Sequence, residues 1–245
     1  MTDQGLQFPK FYVTAPSPCP YLKGKTERKV FTELAGPDAP SLNEALGRVG
    51  FRRSQSVVYR PACENCSECI SVRVRAQEFN LSKSQKRVAK ANTDLLAQIC
   101  PPQVTDEQYD LLKDYLNSRH KGGSMADMSI EEYRDMVEAS PVTTILVEYR
   151  RVIDSHLMAV ALTDELTDGL SMIYSYFAPS ENKRSLGTYI ILDHIARAKH
   201  AAKHHVYLGY WVKGSKKMSY KGKFTPLEKL GPGGWQDSDQ PSETI

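Results

Sequence analysis

Three of the five cysteines stand at a regular spacing in the stretch YRPACENCSECISVRV, residues 59–74. A C-x2-C-x2-C pattern lets the thiolates of Cys63, Cys66 and Cys69 converge on one ion, although a tetrahedral site requires a fourth ligand. A disulfide, a catalytic thiol or three small core residues are the alternatives. The first residues lack the basic and apolar regions of a signal peptide, which predicts a cytoplasmic protein. Because cytoplasmic thiols are kept reduced, this location argues against disulfides, as does the odd number of cysteines.

Positive charge is concentrated in two stretches, although the 245-residue chain has a formal net charge of only +3. Residues 183–223 contain ten Lys and Arg against one Asp, a net charge of +9. A second basic run comprises Lys83, Lys86, Arg87 and Lys90. This asymmetry favours a polyanionic partner, most often nucleic acid, but two solvated helix faces would give the same pattern. No apolar run reaches the ~18 residues of a membrane span, so no membrane partner is expected.

A loop at residues 184–188 could bind an anion. The surrounding sequence predicts an apolar strand, this loop, a long helix and another strand. The N–H groups at a helix N-terminus are unpaired, and a glycine such as Gly187 lets a phosphate approach them. Lys183 and Arg184 would add positive charge. A plain helix cap with surface cations is the alternative.

The elements that must position these groups follow from periodicity and capping residues. Helices are predicted after Ser41, Thr105 and Ser129, the last with Glu132 at capping-box spacing, and residues 82–99 have helical composition. Pro101-Pro102 marks the clearest internal boundary. Strands are predicted at 30–34, 56–61, 70–79, 142–150, 155–166, 169–179 and 205–212. The predicted organisation is an N-terminal cysteine-containing region (1–100), a C-terminal domain (101–230) and a disordered tail (231–245).

The order of antiparallel strands, loop, helix and strand resembles the core of GNAT-type acyltransferases, in which the loop binds the pyrophosphate of coenzyme A. Six longer segments resemble the bacterial branch of the arginyl-tRNA–protein transferase family, and within it the aspartate/glutamate leucyltransferases of the bacterial N-degron pathway. They are PCPYL, ERKVFTEL, GFRRSQSVVYRPACENCSECISVRV, SKSQKRVAKAN, RSLGTYIILDHIARAK and VYLGYWVKGSKKMSYKGKFTPLEKL, and the resemblance covers roughly residues 7–230. It implies an α+β, GNAT-like fold with the cysteine-containing segment packed on it.

The resemblance also implies the reaction. The α-amine of a protein with N-terminal Asp or Glu would attack the ester of leucyl-tRNA, marking that protein for degradation. No cofactor is required for this chemistry, and no DNA partner is expected. An aminoacyl ester is already activated, so the enzyme mainly orients the amine and stabilises the oxyanion. This agrees with the absence of a convincing nucleophile–His–acid pattern: His200, His204 and His205 fit a helix C-terminus better, and no catalytic residue is assigned.

The basic clusters can be matched to the two substrates that the resemblance implies. An acidic acceptor side chain needs a fixed cation, for which Arg is best suited. The acceptor-binding candidates are Arg52, Arg53, Tyr59, Lys216, Lys217 and Tyr220, with Lys221 as a further alternative. The aminoacyl-tRNA candidates, acting through phosphate contacts, are Lys83, Lys86, Arg87, Arg184, Ser185, Leu186, Gly187 and Thr188.

Cys19 is the candidate fourth ligand for the cysteine triplet, because eukaryotic members of the family have cysteines in matching stretches that bind metal or an iron–sulfur cluster. Four thiolates suit zinc or a [4Fe–4S] cluster equally. Three other functions stay open. They are arginyl transfer on the same fold, coenzyme A–dependent acetylation, and a non-enzymatic RNA-binding module stabilised by metal.

Overall fold

Residues 144–177, which the sequence predicts to form consecutive strands, lie in the middle of a large mixed sheet. The computed structural model describes residues 9–119, 127–215 and 217–238. Within these ranges the fold is α+β, as predicted, and no helix in them is both long and apolar enough to cross a membrane. The helices are α1 (Ala39–Arg48), α2 (Lys83–Lys90), α3 (Asp106–Arg119), α4 (Ile130–Glu138) and α5 (Leu186–His200), with short 3₁₀ helices at Asn182–Arg184 and Ser219–Lys223.

The strands of the described residues form three sheets. The N-terminal sheet has the order β1-β4-β6-β5, β2 pairs with β3, and the large sheet has the order β14-β13-β7-β12-β11-β10-β9-β8. The strands are β1 (Tyr12–Val13), β2 (Ser17–Pro18), β3 (Thr26–Glu27), β4 (Lys29–Glu33), β5 (Arg52–Ser54), β6 (Val57–Pro61), β7 (Ile70–Arg75), β8 (Leu95–Cys100), β9 (Thr144–Arg151), β10 (Leu157–Glu165), β11 (Gly169–Phe177), β12 (His205–Trp211), β13 (Leu227–Gly231) and β14 (Gly234–Asp237).

Helices cover both faces of the large sheet. In β10, LMAVALTDE, every residue but the last is buried, because alternate side chains enter two different cores. Ala159 and Ala161 pack in the core that includes Ile190 of α5, whereas Val160 and Leu162 pack in the core of α3 and α4. This explains why a nearly continuous apolar run forms a strand here.

The large sheet opens between β11 and β12. These strands are parallel and pair only from Gly169–Ser171 to His205–Tyr207. β11 nevertheless continues to Phe177 and β12 to Trp211. Beyond the third pair the two strands separate, which leaves backbone groups at the centre of the sheet available to side chains from other elements.

A buried ion pair attaches the N-terminal sheet to the large sheet. The guanidinium of Arg53 in β5 donates from Nε and Nη2 to the carboxylate of Asp164 in β10, at 2.6 Å each, and both side chains are 1% exposed. Thr144 Oγ1 donates to the same carboxylate at 2.8 Å. Such a bidentate, charge-assisted contact fixes orientation as well as distance.

Several predicted elements are confirmed. Thr105 and Ser129 cap α3 and α4, and each forms reciprocal hydrogen bonds with the residue three positions later, Gln108 and Glu132. The predicted start of α1 at Ser41 is wrong, because the helix already begins at Ala39 after Asp38, with a proline in its first turn. Proline has no backbone N–H, and in the first turn of a helix this N–H would have no acceptor within the helix.

The helical reading of residues 82–99 is correct only in its first half. The α2 helix ends at Lys90, and Leu95–Cys100 instead form β8, at the edge of the sheet beside β9. Asn92, which is fully buried, donates from Nδ2 to the carbonyls of Val88 and Arg184 and turns the chain after the helix. Tertiary pairing thus overrides local helix propensity.

The predicted regions do not coincide with the sheets. β7 and β8 come before residue 101, yet both belong to the large sheet, and β7 lies between β12 and β13. The boundary predicted at Pro101-Pro102 therefore follows a strand of that same sheet. Part of the predicted tail is strand β14 (Gly234–Asp237), while residues 239–245 lie outside the described residues.

Replacing Arg53 by Met should lower the free energy of unfolding by about 3–5 kcal/mol, because Asp164 becomes a buried charge without its partner. Urea denaturation measures the loss. The double variant Arg53→Met/Asp164→Leu should recover much of it, since no charge is then left unpaired. Arg151→Met, which breaks the exposed pair with Asp154, is the control and should change little. A loss in Arg53→Met no larger than in this control would contradict the anchoring role.

Candidate functional site

Arg52 bridges the two separated strands at the centre of the large sheet. Its Nη2 donates to the carbonyl oxygens of Met172 and Ile173 in β11, at 3.0 and 3.1 Å. On the other side, the guanidinium lies against Gly209 of β12, where an added Cβ would stand 1.0 Å from Nη1. Gly209 has φ +73°, in the left-handed region that favours glycine. The side chain therefore occupies the opening that follows the last β11–β12 pair.

Lys221 brings a second basic group to the same opening. It lies in the 3₁₀ helix Ser219–Lys223, is 7% exposed, and donates from Nζ to the carbonyl oxygen of Tyr210 at 2.7 Å. Burial, and after it the charge of Arg52, lowers the pKa of Lys221 well below its usual range. The two side chains are therefore close enough to interact electrostatically.

Among the described residues, neither Arg52 nor Lys221 forms an ion pair with a carboxylate; backbone carbonyls accept their hydrogen bonds. A guanidinium has five N–H donors and an ammonium three, so donors stay available on both. A buried cation beside a half-buried one, without a counter-charge, is unfavourable. An incoming carboxylate would provide the missing charge, and the arrangement therefore suits an anion.

The predicted acceptor residues fall into three groups. Arg52 and Tyr59 lie at the opening, since the Tyr59 ring is 6.1 Å from that of Tyr210, whose hydroxyl donates to the Tyr59 carbonyl. Arg53 does not face the opening but binds Asp164, and we leave it out of the candidate site for that reason. Lys217 is exposed and Tyr220 is 40% exposed on the neighbouring segment, while Lys216 lies outside the described residues.

Tyr21 joins this site to the segment that carries the cysteines. Burial, and after it the charge of Tyr59, raises the pKa of Tyr21 to about 12, and Arg52 and Cys69 also act on it electrostatically. Tyr21 is therefore close enough to Arg52 and to Cys69 to interact with both electrostatically.

The N-terminus of α5 differs in part from the prediction. Ser185 precedes the helix in the left-handed conformation and makes no side-chain cap, Leu186 is buried, and Thr188 belongs to the first turn. Gly187 lies against Phe177, with 3.1 Å between an added Cβ and Phe177 Cε1. Arg184, predicted to bind phosphate, instead forms a bidentate pair with Asp94 and contacts Glu181. Its guanidinium is used to fix the loop.

A basic face of α2 is accessible. Lys83, Lys86, Arg87 and Lys90 are exposed, and none of them forms an ion pair with a described residue. Gln85 Nε2 donates to the carbonyl of Lys223, and Asn92 Nδ2 to that of Arg184. These contacts hold the other face of α2, and the turn that follows the helix, against the segment that carries Lys221 and the loop before α5.

The four predicted metal ligands are near one another but not arranged around an ion. Burial first, and then the thiols of Cys19, Cys63 and Cys66, raise the pKa of Cys69 to about 11. All four are free thiols. Within residues 9–119, 127–215 and 217–238, no three Cys, His, Asp or Glu side chains form a group that could hold a metal. The donor set suits zinc or an iron–sulfur cluster, which stays a prediction.

One Thr–His pair has the geometry of a nucleophile and its base but not the access. Thr163 Oγ1 is 2.8 Å from His194 Nε2, and the other ring nitrogen is 2.8 Å from the Ile190 carbonyl. Both side chains are completely buried, and burial lowers the pKa of His194. The pair holds α5 on the sheet. Its position excludes it from contact with a substrate in this structure.

Sequence reasoning placed Lys221 only among the alternatives and did not single out Gly209. A glycine inside the apolar strand HVYLGYWV is a signal for a bulge or a close backbone approach. Such a glycine indicates that another group packs closely against the strand. It does not indicate that this group is the side chain of Arg52, 157 positions earlier in the chain.

Comparison with known proteins finds both family models and distant folds that match this chain. A family model described as "Arginine-tRNA-protein transferase, N terminus" matches residues 17–87, and its C-terminal counterpart matches residues 107–231. Among solved structures, that of L-PGS from Bacillus licheniformis has a TM-score of 0.46 at 8% identity over 59% of this chain and 45% of that one. A GCN5-related glucosamine N-acetyltransferase region of a fungal GH3 beta-N-acetylglucosaminidase has a TM-score of 0.41 at 8% identity. The match covers 84% of this chain and 22% of that one. Both structural likenesses are distant.

Two curated relatives are much more similar. The aspartate/glutamate leucyltransferase of Sphingopyxis alaskensis is 56% identical over 98% of this chain and 95% of its own length. That of Brucella ovis is 54% identical over 96% of this chain and 98% of its own length. By these matches, the chain belongs to the arginine-tRNA-protein transferase family.

Proposed function

We propose that this protein transfers leucine from leucyl-tRNA to the α-amine of proteins that begin with Asp or Glu, in the cytoplasm. The observation that carries the proposal is the pair Arg52 and Lys221, which lie at the opening of the sheet without a carboxylate partner among the described residues. The family and the names of the relatives support an aminoacyltransferase, and the pair of half-buried Arg52 and buried Lys221 supports an acidic acceptor.

The pair can distinguish an acidic acceptor from its amide. A carboxylate of Asp or Glu accepts charge-assisted hydrogen bonds from both groups and compensates their charge. The isosteric amide of Asn or Gln would leave Arg52 and the buried Lys221 without a counter-charge. Hydrogen bonds to charged groups contribute about 1.5–3 kcal/mol each, so we expect discrimination of at least about tenfold.

The transfer itself needs orientation more than a strong base. The neutral α-amine attacks the carbonyl carbon of the leucyl ester, an amide bond forms, the ester bond breaks, and the amine loses a proton while the tRNA 3′ oxygen gains one. The pKa of an α-amine is about 7.7–8.0, so roughly a tenth of it is neutral at pH 7. Holding the amine against an activated ester then supplies most of the acceleration.

The tRNA would bind on the neighbouring basic surface. The exposed cations of α2 offer contacts to backbone phosphates, which position a nucleic acid without reading its sequence. The N–H groups at the start of α5, next to Gly187, would receive a phosphate of the 3′ end. Gln85 of α2 contacts the Lys221 segment and Asn92, just after the helix, contacts the loop before α5, so a tRNA bound on α2 would lie near the opening of the sheet.

The purified protein should transfer labelled leucine from leucyl-tRNA to a peptide that begins with Asp or Glu, and at least about tenfold less to the matched Asn or Gln peptides. The measurement is transfer of label from separately charged tRNAs. Transfer of arginine without leucine would replace the proposal by the arginyl alternative. Turnover of acetyl coenzyme A without tRNA would favour an acetyltransferase, and salt-sensitive tRNA binding without transfer an RNA-binding module.

Gly209→Ala should remove most of the activity toward an Asp peptide, because the new Cβ displaces the Arg52 guanidinium. Gly36→Ala is the matched control. Gly36 has nearly the same φ, +72°, but no atom within 4 Å of an added Cβ, so this variant has only the conformational cost of about 1–2 kcal/mol.

The double variant Arg52→Ala/Gly209→Ala separates folding from function. It should melt at a higher temperature than Gly209→Ala, because the clash is gone, yet stay inactive. Equal kcat/KM values for the Gly209→Ala and Gly36→Ala variants would contradict the role given to Arg52.

The affinity for an Asp peptide should decrease as pH rises through the pKa of Lys221. In the free protein that pKa is lowered, and a bound carboxylate raises it by supplying a counter-charge. At a pH between the Lys221 pKa of the free protein and that of the complex, peptide binding takes up a proton. The affinity for the peptide therefore falls by up to tenfold per pH unit in this range.

Titration calorimetry at a series of pH values, without tRNA, measures this effect. Lys221→Met should bind more weakly and with a flatter pH dependence, whereas Lys223→Met, on an exposed neighbour, should behave like the unmodified protein. Titration of the peptide's own α-amine contributes equally to the pH dependence of binding by the unmodified protein and by the two variants. Parallel pH profiles for Lys221→Met and Lys223→Met would show that Lys221 does not bind the carboxylate.

A further inference from the structure

A small cavity lies where the N-terminal sheet meets the large sheet, beside the opening. Its volume is about 30 Å³, and residues of α1, β5, β7, β11, β12 and β14 line it. One water-sized particle needs about 10–15 Å³ of such space. The cavity therefore admits about two particles of that size.

Asn43 of α1 contributes an amide side chain that has no partner. It lines the cavity and is only 7% exposed. Within the part of the chain that the structure describes, neither its carbonyl oxygen nor its NH₂ group forms a hydrogen bond. Because a buried amide without a partner is unfavourable, Asn43 requires a polar occupant of the cavity.

Arg52 brings unused donors to the same wall. Its Nη2 donates to two carbonyls of β11, which leaves Nε and Nη1 without an acceptor among the described residues. These two atoms lie next to Gly209, which also lines the cavity: an added Cβ would be 1.0 Å from Nη1 and 2.7 Å from Nε. Nε and Nη1 together carry three N–H groups. The guanidinium can therefore bind an occupant of the cavity and keep a donor for an acceptor in the opening.

Ser171 adds a hydroxyl from β11. This half-buried side chain lines the cavity, and its Oγ forms no hydrogen bond with a described residue. Ser71 of β7 differs, since its Oγ donates to the Gly50 carbonyl at 3.1 Å. Asn43, Arg52 and Ser171 thus offer N–H and O–H donors to one small volume from three separate elements.

The charge of the wall favours an anion as the occupant. Two arginines line the cavity, whereas no Asp or Glu of the described residues does. The carboxylate of Asp164 compensates Arg53, with which it forms the bidentate pair. Arg52 has no such partner among the described residues. A cation in the cavity would be repelled, and a water molecule would leave the charge of Arg52 without compensation.

We propose that this cavity binds a small monovalent anion of the size of chloride, held by Arg52, Asn43 and Ser171. The anion supplies the counter-charge of Arg52 and an acceptor for the Asn43 amide, and it thereby stabilises the contact of α1 and β5 with the large sheet. The volume suits chloride with one water molecule and excludes a large anion such as gluconate. The inference does not depend on leucine transfer, and its test measures no transfer.

The melting temperature of the full chain should depend on chloride when gluconate replaces it at constant ionic strength. Ligands that bind only the folded state stabilise it in proportion to the logarithm of their concentration. Each tenfold increase in chloride above its dissociation constant should therefore raise the melting temperature by about 3–6 °C. Constant ionic strength keeps general screening the same throughout the series.

Three variants show whether the effect comes from this cavity. Asn43→Asp should abolish the chloride dependence, because its carboxylate becomes the counter-charge of Arg52 and repels the ion. Asn117→Asp, the same change on an exposed position of α3, is the matched control and should keep the full dependence. Asn43→Leu has a similar size but no donor. It should also lose the dependence, and it decides the question if Asn43→Asp does not fold.

Crystals grown with bromide in place of chloride should show an anomalous peak within hydrogen-bonding distance of Arg52 and Asn43. Water alone in the cavity, or equal melting temperatures in chloride and gluconate, would overturn the inference. A bromide peak without a chloride effect on melting would overturn it too, since it would show binding at crystal concentration only. Full chloride dependence in a folded Asn43 variant would place the ion elsewhere and equally overturn it.

Discussion

The contact between Arg52 and the separated strands β11 and β12 is the constraint on which the rest of the site depends. Two parallel strands that part in the middle of a sheet lose backbone hydrogen bonds, and carbonyls there need other donors. Arg52 supplies them to Met172 and Ile173. It can do so only because Gly209 leaves space on β12. One side chain thus satisfies the open backbone and brings positive charge to the same place.

This arrangement requires that neighbouring elements hold the opening in position. The Arg53–Asp164 pair fixes β5, so that the adjacent Arg52 enters the sheet from a defined direction. Two amide side chains, Gln85 in α2 and Asn92 just after it, connect this part of the chain to the Lys221 segment and to the loop before α5. Two adjacent arginines therefore have different tasks: one anchors the N-terminal sheet, and the other has donors left for a ligand.

Local sequence signals predicted well the features that depend on neighbouring residues. The capping residues of α3 and α4 and the strands after residue 142 are examples, because caps and periodicity act within a few positions. Features determined by distant contacts were not predictable in this way. The strand Leu95–Cys100 forms because β9 pairs with it, Arg184 is engaged by Asp94, and Arg53 faces Asp164 instead of the opening. The exposed cations of α2 were identified, but only the tertiary structure reveals that no carboxylate of a described residue pairs with Lys221.

The position of β7 has a consequence for the order in which the chain can fold. This strand is complete by residue 75, but both of its neighbours in the sheet, β12 and β13, lie after residue 204. During synthesis, both edges of β7 therefore stay without their partner strands until almost the whole chain has been made. Its pairing is among the most non-local in the molecule, which is typical of slow folding and of intermediates prone to aggregation. A ribosome-bound chain shorter than about 230 residues would expose this strand to chaperones.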